Sequence, residues 1–148
     1  MGSGGKLQGK VALITGGGGY IGSAIAELLA TEGAKLVLAD DVAEKAETTA
    51  AAIKAQGGEA IAVTADVSDA AQCEAAVTAG IDAFGALHVL VNTAAVITPD
   101  GTVPELDLAD WQRALDVNLT GAFLMCKYAI PRIKDAGGGA VVNITSQL

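Results

Sequence analysis

A glycine-rich stretch near the start of the chain has the composition and the position to bind a phosphate group. It follows the apolar segment 11–14, and its sequence is Thr15-Gly16-Gly17-Gly18-Gly19-Tyr20-Ile21-Gly22. Glycine lets the backbone approach a phosphate closely because it has no Cβ. A helix that begins near Tyr20 directs unpaired N–H groups and the positive end of its dipole at the anion. We therefore expect the pyrophosphate of a dinucleotide to be held by Gly16, Gly19, Tyr20, Ile21 and Gly22.

A carboxylate follows the second apolar segment and suits the other end of such a ligand. Asp40 comes directly after residues 35–39, and an acid at this point hydrogen-bonds the adenine ribose in dinucleotide-binding folds. It also disfavours a 2′-phosphate, because like charges about 4 Å apart repel by about 4 kcal/mol at an effective dielectric of about 20. No Arg or Lys lies in the glycine loop or just after Asp40. The sequence favours NAD over NADP as cofactor, with a helix-capping role as the structural alternative for Asp40.

The elements that must position these residues alternate along the chain between strand and helix patterns. This alternation predicts an α/β fold, a Rossmann-type doubly wound parallel sheet of order 3-2-1-4-5 in a three-layer αβα arrangement. The predicted strands are 11–15, 35–39, 60–65, 88–92 and 140–145. The predicted helices are 20–31, 43–56, 70–84 and a long one over 108–134, which Pro131 should kink or fray near its end.

The composition limits the class of protein. The chain has 148 residues, 51% of them hydrophobic, which suits one domain over 10–148 preceded by a flexible leader over 1–9. Its net charge of -8 argues against nucleic acid or an anionic membrane as a partner, and no apolar run is long enough to span a bilayer. Cys73 and Cys126 have neither a metal-binding nor a disulfide spacing, so we expect two buried thiols, no metal and a cytoplasmic location.

Four further motifs follow the glycine loop in a recognisable order. They are Asp66-Val67, Asn92-Thr93-Ala94-Ala95, Asp116-Val117-Asn118-Leu119-Thr120-Gly121 and Val141-Val142-Asn143-Ile144-Thr145-Ser146. Together with the loop, they resemble the short-chain dehydrogenase/reductase family from Lys10 to the last residue. Each motif is modest by itself, and it is their correct order that makes the resemblance strong.

The resemblance implies a role for each motif. Asp66 and Val67 flank the adenine, and the middle of the cofactor lies along Asn92, Thr93, Ala94 and Ala95. The family usually has Asn-Asn-Ala-Gly here, so Thr93 lacks an amide that ties strands together. Asn118 holds a water in a proton relay, and Ser146 is the catalytic serine.

The spacing of the glycines departs from the usual pattern of the single-domain members. Those members have Thr-Gly-x-x-x-Gly-x-Gly, whereas Tyr20 occupies the middle glycine position here. Gly16, Gly19 and Gly22 instead fit the spacing of the longer epimerase and dehydratase branch. The downstream motifs span most of the chain and favour the single-domain branch. A surface aromatic at the start of a helix is the structural alternative for Tyr20.

The family's proton donor, a Tyr followed four residues later by Lys, does not follow Ser146 in these 148 residues. Tyr128 with Arg132 is similar, but it precedes Ser146 within the long helix, so we expect it to be structural. Loss of a general acid typically costs about 10²–10⁴ in rate. We therefore expect a C-terminally truncated, cofactor-binding portion of an NAD-dependent oxidoreductase of alcohol or carbonyl substrates, inactive when alone.

The last predicted strand carries the apolar residues Val141, Val142 and Ile144. Without a further strand beside it, an apolar edge is exposed, which predicts a homo-oligomer or pairing of this strand edge with another chain. Two alternatives to an oxidoreductase stay open. One is a noncatalytic dinucleotide-binding or assembly module, and the other is a methyltransferase, against which the segments 92–95 and 143–146 argue.

Overall fold

The computed structural model describes residues 5–146 and contains a single sheet flanked by helices. The strands are β1 (Val11–Thr15), β2 (Lys35–Asp40), β3 (Glu59–Thr64), β4 (Val89–Asn92) and β5 (Ala140–Asn143). The first three helices are α1 (Tyr20–Thr31), α2 (Ala43–Ala55) and α3 (Ala70–Phe84). A 3₁₀ turn (Val103–Glu105) leads into a long helical unit made of α4 (Leu108–Leu115), a π-helical segment (Asp116–Gly121) and α5 (Ala122–Asp135).

The sheet is parallel throughout and has the order β3-β2-β1-β4-β5, which confirms the predicted fold class and strand order. β1 lies at the centre and is buried along its whole length. The chain first adds strands on one side of β1 and then, from β4, on the other. A crevice outside the carboxyl ends of the strands is expected where the direction of winding reverses, which is between β1 and β4.

Two hydrophobic clusters cover the two faces of the sheet and complete the three layers. Successive strand residues point to opposite faces, so Leu13 and Val37 pack toward α3 and α5, whereas Ile14 and Leu38 pack toward α1 and α2. All four of these side chains are fully buried. The strands are therefore apolar on both sides, as a doubly covered parallel sheet requires.

The structure corrects several sequence-based expectations in detail. β2 extends through Asp40, and β5 ends at Asn143 instead of residue 145. The long helix continues past Pro131 to Asp135, so it does not fray at the proline. Cys73 is buried as expected, but Cys126 is only partly buried.

His88 comes just before β4 and is joined to the beginnings of the strands on either side of it, β1 and β5, by three hydrogen bonds. Its Nδ1 accepts from the N–H of Val11 at 3.1 Å, its own N–H donates to the Val11 carbonyl at 2.9 Å, and its carbonyl accepts from Ala140 at 3.0 Å. Burial, followed by the positive charge of Lys10, lowers the pKa of His88 below its ordinary value. The neutral ring is therefore the form that the fold stabilises.

We predict that this contact makes stability depend on pH. Because the folded-state pKa of His88 is lowered, its contribution is complete above about pH 6.5, the unfolded value, and is lost as the pH falls through the folded-state pKa. Acidification from pH 7.5 to 5 should lower the melting temperature more in the unmodified protein than in His88→Asn, which keeps an acceptor near the Nδ1 position but does not titrate. Parallel melting curves across this range in both proteins would contradict the prediction.

Candidate functional site

A cavity of about 420 Å³ opens at the carboxyl edge of the sheet, where the winding reverses. Its volume lies within the range of about 300–1,000 Å³ that is usual for small-molecule and cofactor sites. Every predicted cofactor contact except Asn92 lines it: Gly16, Gly19, Tyr20, Ile21, Gly22, Asp40, Asp66, Val67, Thr93, Ala94 and Ala95. The fold thus brings together these predicted contacts from four separate segments of the sequence.

The glycine loop folds tightly on itself and on the end of β4. Gly16 has a φ of 61°, and a Cβ there would lie 3.1 Å from the Cα of Ala94. A Cβ on Gly22 would lie 2.1 Å from the carbonyl oxygen of Gly16. Both glycines are therefore required by the packing of the loop, in addition to any approach of a ligand. The loop ends at Gly19, the N-cap of α1, which supplies no side chain to the first N–H groups of the helix.

Tyr20 is the first residue of α1 and stands at the mouth of the cavity. Its side chain is 96% exposed, and its backbone does not have the positive φ that would strain a residue with a Cβ. The tyrosine therefore fits a position where glycine is usual. Ile21 beside it and Ile97 on the facing loop are also exposed at 54% and 92%, so the mouth of the cavity is apolar.

Asp40 ties the glycine loop to the turn that enters α2. One of its carboxylate oxygens accepts from the N–H of Gly18 at 3.0 Å, and the other accepts from the N–H of Val42 at 3.1 Å. Val42 is the N-cap of α2, so Asp40 does organise the start of that helix. Since an ionised carboxylate has about four acceptor positions, Asp40 can still accept hydrogen bonds from the hydroxyl groups of a ligand in the cavity.

Lys45 is a member of the cavity wall that the sequence analysis missed. It lies in the first turns of α2 and lines the cavity together with Asp40 and Asp41. Lys45 is five residues from Asp40 in the sequence, but the start of α2 brings it back against the loop at Gly18. A positive charge is thus present at this wall of the cavity, close to the carboxylate of Asp40.

Asp66 lies in the turn after β3 and has three hydrogen-bond donors around its carboxylate. Its Oδ1 accepts from the N–H and the hydroxyl of Ser68 at 2.8 and 2.6 Å, and its Oδ2 accepts from Arg113 at 3.0 Å. Burial by itself would raise the pKa of Asp66, but these hydrogen bonds and the charge of Arg113 outweigh it and lower the pKa. The carboxylate is therefore held in its ionised form beside the cavity. Arg113, which reaches it from α4, also lines the cavity and was not identified from the sequence.

Thr93 connects the ends of β1 and β4 although, as expected, it lacks the family's amide. Its hydroxyl donates to the carbonyl of Thr15, and its N–H donates to the hydroxyl of Thr15 at 3.1 Å. The N–H of Ala94 reaches the same hydroxyl at 3.2 Å. Two threonine hydroxyls therefore connect the strands where the family usually has an amide side chain.

Comparison with known proteins bears on what this cavity is for. The family model described as short chain dehydrogenase matches residues 10–148. A 2,5-dichloro-2,5-cyclohexadiene-1,4-diol dehydrogenase of Sphingobium indicum is 44% identical over 141 residues, covering 95% of this chain and 56% of that protein. A D-threitol dehydrogenase of Mycolicibacterium smegmatis is 44% identical over 144 residues, covering 96% of this chain and 54% of that protein.

The chain belongs to the short-chain dehydrogenase family. A xylitol dehydrogenase solved with NAD⁺ bound superposes with a TM-score of 0.92 at 33% identity, covering 95% of this chain and 54% of that one. The chain spans about half the length of the relatives it matches. Its membership in the family leaves the methyltransferase alternative without support.

Asn92 lies beneath the cavity and not on its wall. The residue is buried, and its Nδ2 donates to the Oδ1 of Asn143 at 2.8 Å, which connects β4 to β5. Within residues 5–146, its own Oδ1 has no hydrogen-bond partner. Its position indicates that it fixes the end of the sheet under the loop that carries Thr93 to Ala95.

The two predicted catalytic residues lie outside the lining of the cavity. Asn118 sits in the π-helical segment, and its amide pairs with the backbone of Val96, accepting from the N–H at 2.8 Å and donating to the carbonyl at 2.9 Å. π-Helical turns often occur at functional sites. Ser146 is exposed and follows the end of β5. Asn118 therefore fixes the loop after β4, and catalytic roles for both residues stay predictions.

Residues 5–146 contain no group of three His, Cys, Asp or Glu side chains arranged to hold a metal ion. None of the helices described in this range has both the length and the hydropathy that a bilayer span demands.

We predict that Gly18 is required for the packing of α2 on the glycine loop. A Cβ on Gly18 would lie 2.4 Å from the carbonyl carbon and the Cβ of Lys45, so Gly18→Ala must displace α2 or the loop. Such overpacking typically costs about 1–3 kcal/mol, to be measured by urea unfolding. Gly101→Ala is the matched control, because the nearest atom to its Cβ is 3.7 Å away and its cost should stay within about 0.5 kcal/mol. Equal stability of the two variants would refute the steric argument.

Proposed function

We propose that this chain is the cofactor-binding portion of an NAD-dependent oxidoreductase that transfers hydride between the nicotinamide and an alcohol or carbonyl substrate. The observation that carries the proposal is the convergence of the uncapped start of α1 and the carboxylate of Asp40 on one cavity. Backbone N–H groups suit a diphosphate, and a fixed carboxylate suits the hydroxyls of a ribose. The bound NAD⁺ of the similar xylitol dehydrogenase supports the same assignment.

The residues fit a dinucleotide along the length of the cavity. The first N–H groups of α1, which the close packing of Gly22 on the carbonyl of Gly16 keeps beside the loop, would hold the diphosphate. Asp40 would hold the adenine ribose, Asp66 and Val67 the adenine, and the segment 93–95 the middle of the cofactor. When bound, the nicotinamide would supply the site that accepts or donates the hydride.

We propose NAD and not NADP as the preferred cofactor. Asp40 is 6% exposed and is fixed by two backbone N–H groups, so its carboxylate cannot turn away from a 2′-phosphate. Repulsion between like charges at about 4 Å amounts to about 4 kcal/mol at an effective dielectric of about 20. Lys45 opposes this effect, but its side chain is exposed and flexible, and its attraction is therefore screened by solvent.

Ser146 and Asn118 are proposed as the catalytic residues within this chain. Ser146 would donate a hydrogen bond to the oxygen of the substrate, where negative charge develops, and Asn118 would hold a water in a proton relay. A serine hydroxyl is not a useful proton donor by itself, and these 148 residues contain no Tyr-x-x-x-Lys after Ser146. The 148 residues alone should therefore bind the cofactor without turnover. A noncatalytic dinucleotide-binding or assembly module is the second candidate function.

Fluorescence titration of the 148-residue chain with NADH and NADPH tests the proposal. We expect NADH to bind more tightly than NADPH, with no oxidation of NADH in the presence of aldehydes and ketones. Asp40→Asn should weaken NADH binding about tenfold or more, because a hydrogen bond to a charged group contributes about 1.5–3 kcal/mol, and should strengthen NADPH binding.

Asp41→Asn is the matched control for that titration. Asp41 lines the same cavity but is exposed, so its substitution should change NADH affinity by less than about twofold. Absence of NADH binding to the unmodified chain would overturn the proposed function. Turnover of a carbonyl substrate would remove the noncatalytic alternative, and tighter binding of NADPH would overturn the cofactor preference.

We also propose that the chain associates through the edge of β5. Val141, Val142 and Ile144 are 37%, 43% and 42% exposed, and within residues 5–146 no strand pairs with β5 on the side away from β4. An open apolar edge favours pairing with another chain, either a second copy or another segment.

A cytoplasmic location is proposed from the two free cysteines, which suit a reducing compartment.

We predict a dimer or larger assembly in light scattering after size-exclusion chromatography. Val142→Lys should shift the chain toward the monomer, because a lysine on an edge strand opposes pairing. Val103→Lys is the control, since Val103 is 89% exposed but lies in the 3₁₀ turn away from the strand edge. A clean monomer of the unmodified chain at high concentration would rule out association through this edge.

A further inference from the structure

Arg113 connects the long helical unit to the turn after β3. It lies in the last turn of α4, and one of its terminal nitrogens is 3.0 Å from the Oδ2 of Asp66 and 2.9 Å from the hydroxyl of Ser68. The same residue lines the cavity beside Asp66. Given the proposed binding of NAD, we propose that Arg113 is a positioning residue that orients the Asp66 carboxylate to accept a hydrogen bond from the amino group of the adenine.

The turn that carries Asp66 is fixed from the α3 side without any help from Arg113. The N–H of Asp66 donates to the side chain of Gln72 at 2.9 Å. Asp69 caps α3 by accepting from the N–H groups of Ala71 and Gln72 at 2.8 and 3.1 Å. The backbone of the turn should therefore keep its conformation when Arg113 is replaced.

The orientation of the carboxylate, in contrast, depends on donors at both of its oxygens. Ser68 holds Oδ1, and Arg113 is the side chain that holds Oδ2. Without the guanidinium, Oδ2 loses its charged partner, and the carboxylate can rotate away from the cavity. Arg113 occupies one acceptor position of Oδ2, so the remaining acceptor positions of the Asp66 carboxylate are available to a ligand.

The next residue is fixed by the same helical unit. Val67 is 6% exposed, and a Cβ on Gly121 would lie 2.6 Å from its side chain, so Val67 packs closely against the π-helical segment. The helical unit thus holds both residues proposed to face the adenine, Asp66 through Arg113 and Val67 through Gly121. Val117 of the same segment lines the cavity between these two contacts.

The contribution of the Arg113–Asp66 pair to folding should be small. The side chains are 43% and 33% exposed, and ion pairs at such sites typically contribute about 0–1 kcal/mol. A substitution of Arg113 should therefore change the melting temperature little. Its main effect should appear in the recognition of the base.

The test compares two dinucleotides that differ at the position of the adenine amino group. NADH carries this group, whereas reduced nicotinamide hypoxanthine dinucleotide has an oxygen in its place. Arg113→Gln should weaken NADH binding about five- to tenfold, the loss of one well-oriented hydrogen bond. It should change the affinity for the hypoxanthine dinucleotide by less than about twofold, so that the selectivity between the two falls. Arg113→Lys, which keeps a positive donor, should recover part of the selectivity.

Arg132→Gln is the matched control, because Arg132 forms an exposed ion pair with Asp135 in α5, 3.9 Å apart, and does not line the cavity. It should leave both affinities unchanged. An equal loss of both ligands in Arg113→Gln would indicate direct contact of the guanidinium with the base and would overturn the positioning role. Unchanged selectivity would overturn it as well, while failure of the unmodified protein to bind either dinucleotide would overturn the proposed function itself.

Discussion

The contact between Asp40 and the N–H of Gly18 is the constraint on which the rest of the site depends. It holds the end of β2 against the glycine loop at 3.0 Å, while Gly22 packs against the carbonyl of Gly16 where no Cβ would fit. These contacts fix where α1 begins and therefore where its unpaired N–H groups point. The carboxylate of Asp40 and the glycines of the loop therefore depend on one another.

The other end of the cavity is stabilised by hydroxyls instead of charges. The hydroxyl of Thr15 accepts hydrogen bonds from two backbone N–H groups in the segment after β4, and the hydroxyl of Thr93 donates to the carbonyl of Thr15. Asn92 and Asn143 continue the polar connection into β5, beneath the wall. Neighbouring parallel strands end at the same edge of the sheet, so short side chains suffice to connect them. The loop after β4 is then held from above by the amide of Asn118 on Val96.

The long helical unit connects the turn after β3 to the loop after β4. Its π-helical segment carries Val117, Asn118 and Gly121, which face the cavity, the Val96 loop and Val67 respectively. A π turn shifts the register of the side chains that follow it relative to an α-helix. One helix can therefore contact both the turn after β3 and the loop after β4, which are separated in sequence but meet at the same edge of the sheet.

The sequence by itself determined the fold class, the strand order and most of the cavity wall. The βα pattern and the glycine loop can be identified from local sequence, and in a parallel sheet the segments that follow the strands all lie at the same edge. The bounds predicted for α1 and α3 agree with the structure. Only the tertiary structure decided that Lys45, Arg113 and Val117 join the wall and that Asn92 lies beneath it. Periodicity indicates which face of a helix is buried, but the height at which that helix packs on the sheet decides which of its side chains reach a site. The π-helical segment likewise has no distinct local pattern, since it forms within a continuous helix under the packing of its neighbours.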